Sequence, residues 1–361
     1  MPSFSPERLP DDVLRHVLTY LETPAEAEPP PPPEPQGRGL NFEVRDAIAG
    51  PGERPVVNFR IRDKAGAPIA PAEMTALNLT VGGPTVDYGW ARREDARRAE
   101  MQPDGWARYT FAGSLPADAA GTYAVATEGY VESPSASPGA APVRDTGFNV
   151  VAYFAVTDPV PVPPRQIVQI SNCNACHGTL ATHGGTRRNT DFCVMCHNAT
   201  QTDEEKRRVA GGPLPPEPVL FRNLIHRIHT GEDLAHPFVI YGGSPANPAP
   251  VDLAAVHPFP KDRANCAVCH EAGTQAITAA LEQRAPMVIT SGGETIRQVP
   301  PITAACTGCH DSDRTLAHVA SETSGTGVET CAVCHGQGRP FSVTSVHRSV
   351  PPRLTPGSQG N

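Results

Sequence analysis

The sequence predicts an antiparallel β-sandwich or split barrel, followed by a second domain with little regular secondary structure that is organised around covalently attached groups. Three observations carry that prediction. Residues 38–157 hold no Cys and no His and alternate short apolar runs with Gly, Pro and Asp turns, the pattern of an all-β domain. All ten cysteines fall in five copies of C-x-x-C-H, and all five copies lie between Arg165 and Pro352. Two proline-rich stretches, AEAEPPPPPEPQG at 25–37 and DPVPVPP at 158–164, mark boundaries, because polyproline is extended and semi-rigid and continues neither helix nor sheet.

Residues 1–24 come first. Val13, Leu14, Val17, Leu18 and Leu21 recur at helical spacing, and Pro10-Asp11-Asp12 places acids in the first turn, where the helix dipole favours them. A lone helix of this length is not stable by itself. Met1, Phe4, Leu14, Val17, Tyr20 and Leu21 resemble the C-terminal end of a class I monohaem cytochrome c, in which M-P-x-F supplies a methionine to iron. The resemblance implies a remnant of such a domain, with His16 inside its helix. An ordinary amphipathic start helix is the competing reading.

In the Cys-free region the expected strands are Leu40–Val44, Val56–Arg62, Ala76–Val81, Trp106–Phe111, Thr122–Tyr130 and Gly147–Val156. Asp63-Lys64-Ala65-Gly66 is an expected turn. Trp90 and Trp106 are expected to pack on or within the sheets. The region has no His with which to hold an iron, so packing or docking is its expected role. From Arg353 to Asn361 the chain is expected to be a flexible tail.

The five motifs are Cys173–His177, Cys193–His197, Cys266–His270, Cys306–His310 and Cys331–His335. C-x-x-C-H is the attachment signature of haem c. Thiols at i and i+3 share one face of a helical turn and bond the two vinyl groups of one porphyrin. The next residue then offers its imidazole to the iron. The covalent anchors are therefore Cys173, Cys176, Cys193, Cys196, Cys266, Cys269, Cys306, Cys309, Cys331 and Cys334, and the proximal ligands are His177, His197, His270, His310 and His335. Structural zinc would use C-x-x-C motifs in pairs and needs no His after each second Cys. Disulfides would not need the His either. Five haem c groups are the expected cofactors.

Composition narrows the function further. Net charge is −8, and haem propionates would make the loaded protein more acidic, which excludes a nucleic-acid partner and favours partners with basic docking faces. Aromatic residues are only 6%, so porphyrins would supply part of the second domain's apolar core. No run of about 18 apolar residues is present, so no transmembrane helix is expected, and no secretory leader is visible. Haem c is attached outside the cytoplasm, so the gene is expected to extend upstream of Met1, with an export signal and a further C-x-x-C-H.

A sixth ligand for each iron must come from elsewhere. Outside the motifs the second domain has His183, His226, His229, His236, His257, His318 and His347, enough for five bis-His irons. His183 precedes two glycines that would let backbone approach a ring closely. His226 and His229, at i and i+3, project from nearly one helix face and could serve two neighbouring haems. His318 lies between the fourth and fifth motifs, and His347 follows the fifth. His236 and His257 each sit beside Pro and are the less favoured candidates. The domain's Met residues are Met195, inside a motif, and Met287.

The order of these signals resembles the surface decahaem c-type cytochromes of the OmcA/MtrC type. It runs C-x-x-C-H, His183-Gly-Gly, Cys193-Val-Met-Cys-His-Asn198, Asn223-Leu-Ile-His-Arg-Ile-His-Thr-Gly231, then Phe259-Pro-Lys-Asp-Arg-Ala-Asn-Cys266 and the third motif. In that family a β domain precedes a pentahaem domain, and the pair occurs twice; this chain has one such unit and lacks the disulfide cysteines of some relatives' β domains. The resemblance implies distal ligation by His183, His226, His229, His318 and His347. It also implies electron conduction to partner cytochromes, shuttles or minerals, at the outer-membrane surface or outside the cell. The periplasm is the alternative location, and a porin–cytochrome complex or further copies of the chain are possible partners. A multihaem reductase with one catalytic haem is the competing function, which would need one iron with an open position.

Overall fold

The computed structural model describes residues 39–133, 142–256 and 259–347. The expected N-terminal helix, first linker and C-terminal tail lie outside them. Ten strands come first: β1 (Asn41–Ile48), β2 (Val56–Arg62), β3 (Pro68–Ile69), β4 (Ala76–Gly83), β5 (Trp90–Asp95), β6 (Glu100–Met101), β7 (Ala107–Thr110), β8 (Thr122–Ser133), β9 (Val143–Thr146) and β10 (Val151–Ala155). They form two antiparallel sheets. One has the order β1-β2-β7-β6 with β3 also on β2, and the other β10-β8-β4-β5 with β9 also on β8. Both sheets are open, so the architecture is a sandwich and not a closed barrel.

Alternation builds the core. Val57, Phe59 and Ile61 point inward from β2, while Arg60 turns outward and lays its guanidinium over Trp106, 4.3 Å from the ring centre. Leu77, Leu79 and Val81 do the same from β4 and meet Phe42, Phe111, Tyr123 and Phe154. Each such side chain contributes roughly 1.5–3 kcal/mol on burial. Trp90 packs at the edge of this core, so both tryptophans serve the sheets. Asp63–Gly66 forms the expected turn, with the Gly66 amide donating to the Asp63 carbonyl at 2.9 Å and Gly66 at φ 83°.

The outer face of the second sheet breaks the half-buried pattern. Thr80, Ala124 and Ala126 point away from the core yet are fully buried. They are covered by the segment that carries the second motif: Phe192 and Met195 pack with Tyr88, Ala124 and Ala126 into a second apolar cluster.

Beyond residue 165 the elements are short: α1 (Ile170–His177), α2 (Thr190–Cys196), α3 (Glu204–Val209), α4 (Phe221–Thr230), α5 (Ala279–Glu282), α6 (Pro301–Cys306), α7 (Asp313–Ser321), α8 (Ala332–His335) and α9 (Val343–Val346). Two hairpins interrupt them: β11–β12 (Val239–Ser244, Asn247–Asp252) and β13–β14 (Met287–Ser291, Glu294–Val299). Neither was expected from sequence. Among the described residues no helix is long and apolar enough to cross a membrane.

Candidate haem-binding site

Each C-x-x-C-H is one turn of helix. The amide of the motif His donates to the carbonyl of the first Cys in His197 (2.9 Å), His270 (2.9 Å), His310 (3.0 Å) and His335 (2.8 Å), and the first motif lies within α1. The turn puts both thiols on one side and sends the imidazole off its end. Asn189 caps α2 by accepting from the Asp191 amide, which fixes where the second turn begins. None of the ten cysteines is joined in a disulfide.

The five motif imidazoles each face one other imidazole. Ring centres are 6.2 Å apart for His177 and His229, 5.9 Å for His197 and His183, 6.1 Å for His270 and His226, 5.9 Å for His310 and His347, and 6.4 Å for His335 and His318. A metal–imidazole bond of about 2 Å on each side, plus about 1 Å from each nitrogen to its ring centre, requires about 6 Å. Each pair therefore has room for one six-coordinate metal between its rings. Among the described residues no group of three or more His, Cys, Asp or Glu converges as an ion site. The donor set is two imidazoles beside a pair of thiols, which fits a flat macrocycle that brings its own equatorial nitrogens.

The rings are held in the orientation such a role demands. Nδ1 lies 2.9 Å from the Val219 carbonyl in His197, 3.1 Å from the Ala305 carbonyl in His226, 2.9 Å from the Ile225 carbonyl in His229, and 2.9 Å from the Phe341 carbonyl in His335. In His347 it lies 3.2 Å from the Val343 carbonyl, and in His270 3.3 Å from the Thr274 hydroxyl. A proton donated from Nδ1 leaves the Nε2 lone pair free for iron and locks the ring. Burial holds His177, His197, His226, His229 and His310 below the usual histidine range, and pushes His183 and His270 down to about 4. These rings are neutral donors at neutral pH.

α4 carries both His226 and His229, and they face the third and first motifs respectively. His183 is the one non-glycine residue at positive φ among the described residues, at 52°, and Gly184 and Gly185 continue the left-handed run at 75° and 86°. A backbone so folded is retained only when its surroundings impose it. His236 stands apart: it is exposed, and its Nε2 lies 3.1 Å from the Asp313 carboxylate. His257 and His16 fall outside the described residues. Met287 is buried with Leu220, Val299 and Ala304.

Sequence reasoning missed a polar junction between the sandwich and the second motif. Glu128, on β8, is buried and accepts from the Thr186 hydroxyl at 2.7 Å, Arg187 Nε at 3.1 Å and Arg93 Nε at 2.9 Å. A glutamate on the outward face of a strand reads as solvated, and nothing in its local pattern says otherwise.

C-x-x-C-H turns, facing imidazoles and an open β-sandwich define the class: a multihaem c-type cytochrome. The chain belongs to the family of outer membrane cytochromes described as MtrC/MtrF-like, whose model for domains II/IV matches residues 165–348. Among solved structures it is similar to MtrC from Shewanella baltica OS185, at 16% identity and a TM-score of 0.52, covering 82% of this chain and 52% of that one. It is also similar to the outer membrane decahaem cytochrome OmcA, at 18% identity and a TM-score of 0.51, covering 86% of this chain and 48% of that one. The chain thus spans about half the length of either. A search of curated proteins gave no match.

Proposed function

We propose that the chain binds five haem c groups, each between its motif histidine and one distal histidine, and that it is a conduit for extracellular electron transfer. The observation that carries this reading is the five-for-five pairing of imidazoles at 5.9–6.4 Å. The distal residues are His183, His226, His229, His318 and His347. Haem c supplies a one-electron Fe(III)/Fe(II) couple when bound. The chain's own residues anchor each ring through two thiols and orient it through two imidazoles. A catalytic iron needs an open position, and each motif histidine here already has a facing partner.

Neighbouring motifs are tied together by direct bonds. α4 joins the third and first through His226 and His229, and Asn172 beside the first motif donates to the Cys269 carbonyl of the third at 2.9 Å. The His226 ring rests on the Ala305 carbonyl next to the fourth motif, and Glu329 beside the fifth accepts from the Thr303 amide before the fourth at 2.6 Å. We assign the sandwich to 38–157 and the pentahaem domain to 165–352, with the second proline stretch between them. The acidic balance suits basic faces on partner cytochromes or a porin–cytochrome complex, and the outer-membrane surface suits minerals or shuttles as acceptors. Intact-mass measurement on protein matured with the haem c machinery should show five haem additions. Three or fewer, or bound zinc in their place, contradicts the proposal.

A further inference from the structure

The segment holding the second imidazole pair is gripped by the β-sandwich. Residues 186–191 are held by three sandwich side chains. Buried Asn149 donates Nδ2 to the Thr186 carbonyl at 2.9 Å and accepts from the Arg188 amide at 2.7 Å. The Tyr153 hydroxyl donates to the Asp191 carboxylate at 3.1 Å. Glu128 takes the Thr186 hydroxyl and Arg187, as described above, and is itself held from β5 by Arg93. On the ligand side, the Thr186 hydroxyl also reaches the His183 carbonyl at 3.1 Å. Thr182 and Arg187 close the loop around His183 with paired backbone bonds of 2.9 and 3.2 Å. The proximal partner, His197, follows α2, whose Phe192 and Met195 are sunk against the same sheet.

We propose that Glu128 is a positioning residue for the second haem: through Thr186 and Arg187 the β-sandwich holds His183 in its left-handed backbone and aims its imidazole at His197. The inference rests on the reading of His183 as a distal ligand. Its physical basis is direct. A non-glycine backbone at φ 52° is held by its surroundings, and the Thr186 hydroxyl beside the His183 carbonyl is fixed by a buried carboxylate whose two oxygens are both occupied. The same carboxylate puts a buried charge, held between Arg93 and Arg187, against the loop that carries His183.

The test uses the holoprotein and five variants. His183→Ala should give one of five haems a high-spin ferric signal and carbon monoxide binding. Glu128→Ala should give the same single signal, and the double variant should still show one altered haem, because both changes act on one ligand. Glu128→Gln keeps the acceptor and loses the charge. It should leave five low-spin haems but ease reduction of one of them, by about tenfold in its equilibrium constant, or about 59 mV for one electron. Glu132→Gln, altering an exposed pair with Arg144, should change nothing. If His183→Ala leaves all five haems low-spin, the ligand reading fails. If it alters one haem while Glu128→Ala alters none and Glu128→Gln moves no potential, the positioning role is overturned. A double variant with two altered haems overturns it as well. Should Glu128→Ala not fold, Thr186→Val decides: it removes the hydroxyl between Glu128 and the His183 carbonyl and should give the same single high-spin signal, whereas five low-spin haems overturn the positioning role.

Discussion

His226 and His229 keep little freedom: each ring is tied at Nδ1 to a carbonyl, and each faces a different motif. Replacing either with Ala should create one five-coordinate or water-ligated haem, and replacing both should create two, read as carbon monoxide binding per mole of protein. Unchanged low-spin spectra in both single variants would make them bystanders. Burial also predicts a pH dependence. The unfolded chain takes up protons near pH 6.5, whereas His183 and His270 in the folded state resist them to about 4. The unfolded state therefore binds more protons in that window, and stability falls as pH drops from about 6.5 towards 4. Denaturation midpoints at pH 7, 5.5 and 4.5 should decline in that order; a flat or rising series contradicts the burial argument.

Elements here work in couples, and the sequence reveals some couples better than others. The six strands expected from period-2 runs correspond to β1, β2, β4, β7, β8 and β10, because their apolar residues face one core. β5 escaped notice because WARRED reads as a solvated charge run, yet Arg92 pairs with Glu94 and Arg93 with Glu128. The hairpins at 239–252 and 287–299 escaped because their strands carry Gly, Pro and charge and pack as local braces between motifs. The C-x-x-C-H turns were fully legible, since their chemistry is local. Which imidazole faces which is not, because that is set by tertiary packing over as many as 52 residues, the separation of His177 from His229. The couple of α2 with the second sheet yields a stability prediction. Phe192 is almost wholly buried between them, so Phe192→Ala should cost about 3–5 kcal/mol in denaturant unfolding. A cost under 1 kcal/mol would show that α2 merely rests on the sheet.

The whole molecule joins a large apolar core between two sheets to a region of short elements with only a small apolar cluster of its own, the region we propose the haems fill. With a net charge of −8 before any propionate is counted, its exchange with a cationic redox partner should slow as salt rises, by roughly tenfold between low and physiological ionic strength. Stopped-flow oxidation across a salt series would show this, and a rate indifferent to salt would remove electrostatic docking from the account. In the conduit we propose, every iron is held between two imidazoles. Electron paramagnetic resonance of fresh ferric protein, integrated against its haem content, tests it most directly. Low-spin signals should sum to all five haems, and a high-spin ferric signal of one equivalent or more would contradict bis-imidazole ligation.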